Sequence, residues 1–142
     1  MDIGRLHVIT DMALQSSSTH TELASMALSG GADVVQYRNK SASTTQAHLS
    51  YARAMVALSQ TQPGHIVVND RADIAVGAKA WGLHIGSDDL EPELARQLIG
   101  PKAILGATAN NLQQAQALET APIDYLGVGP VFPTRSKSKL RI

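Results

Sequence analysis

The 142 residues contain no cysteine. That excludes disulfides, a thiol nucleophile and cysteine-ligated metals, and leaves the compartment open. There is no excess of charge either: twelve Lys and Arg balance twelve Asp and Glu. No bulk field draws the chain to nucleic acid or to an anionic membrane, so any anion binding must be local. No apolar run near the start suits a signal peptide or a membrane span, since MDIGRLHVITDM already carries Asp2 and Arg5. A cytoplasmic protein is the expectation. Also missing are a G-x-G-x-x-G or Walker A loop, a G-x-S-x-G elbow and a paired-histidine metal motif, which weakens dinucleotide, P-loop, serine-hydrolase and zinc-protease readings. No linker or low-complexity tract divides the chain, so residues 1–142 read as a single domain.

What is present is an alternation. With 44% hydrophobic and 17% charged residues, the composition is that of a globular domain with a real core. Apolar, β-branched runs at Leu6–Thr10, Ala32–Tyr37, His65–Val68, Trp81–Ile85, Ala103–Gly106 and Asp124–Val128 predict six strands. Between them, five segments have helical spacing: Thr21–Leu28 behind the cap residue Thr19, Thr44–Ser59, Ala72–Val76, Glu91–Ile99 with Pro92 in its first turn, and Leu112–Glu119. The second of these predicts a buried stripe of Ala47, Tyr51, Ala54, Met55 and Leu58. Strand–helix repeats of this kind call for a parallel α/β sheet. Six strands suit an open, doubly wound sheet, whereas a complete (β/α)8 barrel needs eight and ordinarily about 250 residues.

The stretch HIVVNDRADIAVGAKAWGLHIGSDDL, residues 65–90, is the most informative. Two strands joined by so short a helix should be parallel neighbours, about 4.8 Å apart. Asp70 and Asp89 then leave the same end of the sheet side by side. Adjacent carboxylates repel unless a cation sits between them, and magnesium suits oxygen ligands. The competing reading is that each aspartate merely caps the helix after it.

In parallel α/β folds the working residues gather at the C-terminal strand ends. Those ends hold Asp11; Gln36, Arg38 and Lys40; Asn69 and Asp70; Asp89; Thr108; and the Thr134–Lys137 run. Carboxylates, cations and hydroxyls on one rim suit a metal-bound phosphate or diphosphate. Plainer readings are solvated loop charges for Arg38 and Lys40, a backbone cap for Thr108, a frayed tail for RSKSKLR, and core packing for His7, His84 and Trp81.

Together the segments LHVITD, GGADVVQYRNK, VVNDRADIA, GLHIGSDDL, ILGAT and DYLGVGPVFPTRSK resemble the thiamine phosphate synthase family. The resemblance runs in order from residue 6 to about 139. It implies a TIM (β/α)8 barrel fold of which this chain holds the first six strands and five helices, the last two βα units being absent. It also implies a transferase of thiamine biosynthesis. Such an enzyme joins 4-amino-2-methyl-5-(diphosphooxymethyl)pyrimidine to thiazole phosphate, giving thiamine phosphate and pyrophosphate. By the same resemblance Asp70 and Asp89 hold Mg2+; Gln36, Arg38, Lys40, Asn69, Thr108 and Lys137 hold the pyrimidine diphosphate; Thr134 and Ser136 meet the thiazole phosphate. No protein nucleophile is implied. Ser87 stands where the family has Gln, Thr108 where it has Ser, and Ser136 where it has a second Thr. Two alternatives remain: a catalytically silent fragment that binds diphosphate or pairs with another chain, or a thiazole tautomerase-like isomerase. Against the latter stand the two aspartates and Pro130, at the position where that branch carries histidine. The partners expected are the two small-molecule substrates and, through open sheet edges, another copy of the chain, with neither nucleic acid nor membrane.

Overall fold

The computed structural model describes residues 2–41, 43–130 and 132. Strands and helices alternate along them: β1 (His7–Asp11), α1 (His20–Ser29), β2 (Val34–Arg38), α2 (Thr45–Leu58), β3 (His65–Asn69), α3 (Ala72–Ala78), β4 (Gly82–Ile85), α4 (Pro92–Ile99), β5 (Ile104–Ala109), α5 (Leu112–Ala117) and β6 (Tyr125–Val128). All six strands are parallel and pair in chain order. A doubly wound sheet reverses its strand order partway; this one does not. Right-handed crossovers that always step the same way lay every helix on the same face.

That face is the apolar one. Successive strand residues point to opposite sides, and Val35, Tyr37, Ile66, Val68, Leu83, Ile85, Leu105 and Ala107 form the core with Ala24, Leu28, Ala52, Met55, Ile74, Ala75 and Ala95 of the helices. Each fully buried Leu, Ile or Met adds roughly 1.5–3 kcal/mol to folding. The opposite strand positions, among them Ile9, Gln36, Val67, His84, Gly106 and Tyr125, face away from the helices.

The sheet is curled around that second face. The rings of His7 on β1 and Tyr125 on β6 meet edge-on with centroids 5.5 Å apart. Six strands laid flat would hold the outer pair roughly 24 Å apart, at about 4.8 Å a step. The molecule is a partial barrel of six parallel strands, and its inner face opens at the C-terminal strand ends.

Several local expectations shift. Thr19 caps α1 as predicted: its hydroxyl accepts from Glu22 N at 3.2 Å, and Thr19 N donates to the Glu22 carboxylate at 2.7 Å, a capping box. The α2 stripe is one residue out of phase, with His48, Ala52 and Met55 buried while Tyr51 and Ala54 are exposed. A polar residue in the first turn of the buried face, His48, hid the phase from hydropathy. Trp81 lies outside β4 and stacks flat on His65, centroids 4.4 Å apart. α5 ends at Ala117 and buries no residue.

Candidate active site

Five strand ends converge at the mouth of the curl. Asp11, buried at the end of β1, is in register with Arg38 at the end of β2 and forms an ion pair with its guanidinium. Its other oxygen accepts from Ala13 N at 2.9 Å. Arg38 is therefore an aimed cation and not a solvated loop charge. Two residues on, the Lys40 ammonium pairs with the Asp70 carboxylate across the end of β3.

Neither Asp70 nor Asp89 caps a helix. The residue at the start of α3 is Arg71 and that at the start of α4 is Glu91, each without a side-chain cap bond. Before α5 it is Asn111, accepting from Gln114 N at 2.9 Å, that performs the role considered for Thr108. Asp70 lies at φ 65°, a left-handed conformation that Asp tolerates better than most residues. A three-residue turn holds it there: Arg71 N donates to Asn69 O at 2.8 Å, while Asp70 N donates to His84 O on β4 at 2.8 Å. The turn throws the carboxylate over the end of β4, whose loop brings Asp89. Asp89 accepts from Gly86 N at 2.7 Å. Burial first, then the Asp70 carboxylate beside it, raise Asp89 above the ordinary carboxylate range.

Among the described residues no group of three or more His, Cys, Asp or Glu gathers, so Asp70 and Asp89 stand as a pair. Two converging carboxylates with neither sulfur nor imidazole form the donor set of a hard cation that completes its shell with water and phosphate oxygens. The residues fit magnesium.

Around the pair lie neutral groups. The Gln36 and Asn69 side chains sit on the inner face, and neither carboxamide bonds a described residue. Thr108, at the end of β5, bonds the His84 ring, its Oγ1 2.7 Å from Nε2. The other ring nitrogen is 2.9 Å from the Tyr125 hydroxyl. His84 is buried as expected, but it links two strands through hydroxyls at the site floor. The structure thus brings together Gln36, Arg38, Lys40, Asn69, Asp70, Asp89 and Thr108; Thr134, Ser136 and Lys137 lie outside the described residues. Sequence reasoning missed the partner role of Asp11 and the part played by Tyr125. The signals were there: equal offsets from their strand starts pair Asp11 with Arg38, and Tyr125 stands opposite Gly106.

The family model described as thiamine monophosphate synthase matches residues 6–142. The chain belongs to the thiamine monophosphate synthase family. Relatives within it include the thiamine-phosphate synthase of Salinibacter ruber, 42% identical over 135 residues, covering 95% of this chain and 59% of that protein. The thiamine-phosphate synthase of Chloroflexus aurantiacus is 44% identical over 133 residues, covering 94% and 61%. Among solved structures, the thiamine phosphate pyrophosphorylase from Pyrococcus furiosus superposes with a TM-score of 0.83 at 35% identity, over 92% of this chain and 62% of that one. The chain spans about three-fifths of the length of these relatives. The six-strand order and the curl are those of the family fold. No helix among the described residues is long and apolar enough to cross a membrane.

Proposed function

We propose that this chain carries the pyrimidine-diphosphate half of a thiamine phosphate synthase site, operating in the cytoplasm as part of a (β/α)8 barrel. The reaction joins 4-amino-2-methyl-5-(diphosphooxymethyl)pyrimidine to thiazole phosphate and releases pyrophosphate. The observation that carries this reading is the meeting of the Asp70 and Asp89 carboxylates beneath Lys40, one strand end away from the Asp11–Arg38 pair. Asp70 and Asp89 would hold magnesium, which when bound offsets charge on the diphosphate. Arg38 and Lys40 neutralise phosphate oxygens and stabilise the charge that gathers on the departing pyrophosphate. Gln36 and Asn69 present amides that bond no described residue and so can orient the substrate, and Thr108 adds a hydroxyl. Thr134 and Ser136 are assigned to the thiazole phosphate, and Lys137 to the diphosphate, by resemblance alone. No protein nucleophile is required; what the residues supply is juxtaposition and a charged cradle.

Titration calorimetry with magnesium and the pyrimidine diphosphate tests the reading. Binding is expected to be lost in Asp70→Ala, and binding unchanged by that substitution overturns the metal site. A second reading, a diphosphate-binding piece that pairs with another chain, is favoured by the exposure of Ile9 on β1 and Val128 on β6. A coupled pyrophosphate-release assay with both substrates separates the two: turnover supports the synthase, and binding without turnover supports the piece.

A further inference from the structure

We propose that Tyr125 and His84 are positioning residues that turn the Thr108 hydroxyl into a hydrogen-bond donor aimed at the diphosphate. The inference rests on the diphosphate reading above and extends it to two residues that do not themselves reach the substrate.

The number of protons on the imidazole sets the direction of the chain. The Tyr125 hydroxyl lies 2.9 Å from His84 Nδ1, and His84 Nε2 lies 2.7 Å from Thr108 Oγ1. A neutral imidazole carries one N–H, so one nitrogen donates and the other accepts. A phenol is a stronger donor than an aliphatic alcohol, and its oxygen, conjugated with the ring, is a weaker acceptor. The phenol therefore donates to Nδ1. Burial pushes the Tyr125 pKa upward, which keeps that proton on the oxygen. Nε2–H then donates to Thr108 Oγ1. That oxygen has no other hydrogen-bond partner among the described residues, so its own proton is left for a ligand in the open mouth. Run the other way, Thr108 would donate into the floor and offer a phosphate only lone pairs, which repel it.

The backbone is shaped for this relay. His84, Gly106 and Tyr125 stand side by side on β4, β5 and β6. The hydroxyl end of the Tyr125 ring crosses over Gly106, where a Cβ would collide with it. Only glycine on the middle strand lets a side chain of β6 bond one on β4. His7, packed edge-on at 5.5 Å, supports the ring from β1.

Two measurements test the relay. Nitrogen-15 NMR of the whole chain at pH 8, where an unperturbed imidazole is neutral, reads the tautomer from two-bond proton couplings, with the His84 signals assigned by their loss in His84→Gln. The expected form is Nε2–H in the wild type, with mixing of tautomers in Tyr125→Phe. Calorimetric titration with inorganic pyrophosphate and magnesium supplies the second readout. Thr108→Ser should bind as the wild type does, while Thr108→Val and Tyr125→Phe should each bind about five- to tenfold more weakly, the worth of one hydrogen bond. Adding Tyr125→Phe to Thr108→Val should cause no further loss. An Nδ1–H tautomer in the wild type, or Tyr125→Phe binding as the wild type does, overturns the relay while leaving the diphosphate reading standing. A wild type that binds no pyrophosphate overturns that reading, and the role of Thr108 falls with it.

Discussion

Asp70 occupies a backbone conformation that few side chains tolerate, and its φ of 65° is held by bonds on both flanks. Shape and charge can be separated there. Asp70→Asn keeps a residue suited to the left-handed region, so thermal melts should match the wild type while magnesium binding in calorimetry is lost. Asp70→Val loses magnesium as well and should destabilise by roughly 1–3 kcal/mol, because a branched side chain is strained there. A second residue-scale prediction concerns pH. Burial holds His20 below its ordinary pKa, and burial followed by Arg71 does the same for His48. The His20 tautomer fits: Thr10 donates to Gln36 O, so His20 Nδ1 donates to Thr10, and Nε2 is left buried and without a partner among the described residues. Protonation would place a hydrogen there with no acceptor. Because the folded pKa values lie below the unfolded one, this contribution to stability is complete above about pH 6.5 and falls as pH drops toward the folded values. Melting temperature should decline through that window in wild type, and His20→Gln should flatten the decline.

At the scale of elements, Arg96 on α4 ties the rear of the sheet together. Its guanidinium donates to Pro122 O, Gly100 O and Ala103 O, and to Asp124 Oδ2 at 2.7 Å. The same carboxylate oxygen accepts from Leu105 N on β5. An ammonium cannot reproduce that planar fork, so Arg96→Lys should lower unfolding free energy in urea by roughly 2–4 kcal/mol. Six strands and five helices were legible in the sequence because strand runs such as HIVV and helix signals such as the cap residue Thr19 act locally. What escaped depends on partners far away in the chain. The phase of α2 turned on His48, whose burial makes sense only beside the Tyr37 hydroxyl, 3.1 Å from its Nδ1. At the site, Asp70 and Asp89 could be read as caps until the turn at Asn69–Arg71 showed where the first carboxylate points. Arg38 looked like a loop charge because its partner, Asp11, lies 27 residues earlier.

For the molecule as a whole, β1 and β6 each pair on one side only among the described residues. Such edges invite further strands, and Val128 on β6 is 68% exposed. The 142-residue chain should therefore self-associate as its concentration rises in size-exclusion chromatography with light scattering, and Val128→Lys should reduce that association. A strictly monomeric profile at every concentration would count against open edges.

Since His7 and Tyr125 touch although they belong to opposite ends of the ribbon, their separation is a gauge of how tightly it is wound. Whatever seats itself in the mouth and spreads the strands has to part these two rings. A cross-peak between their protons would then fade in proportion, reporting from the far wall what happens at the rim.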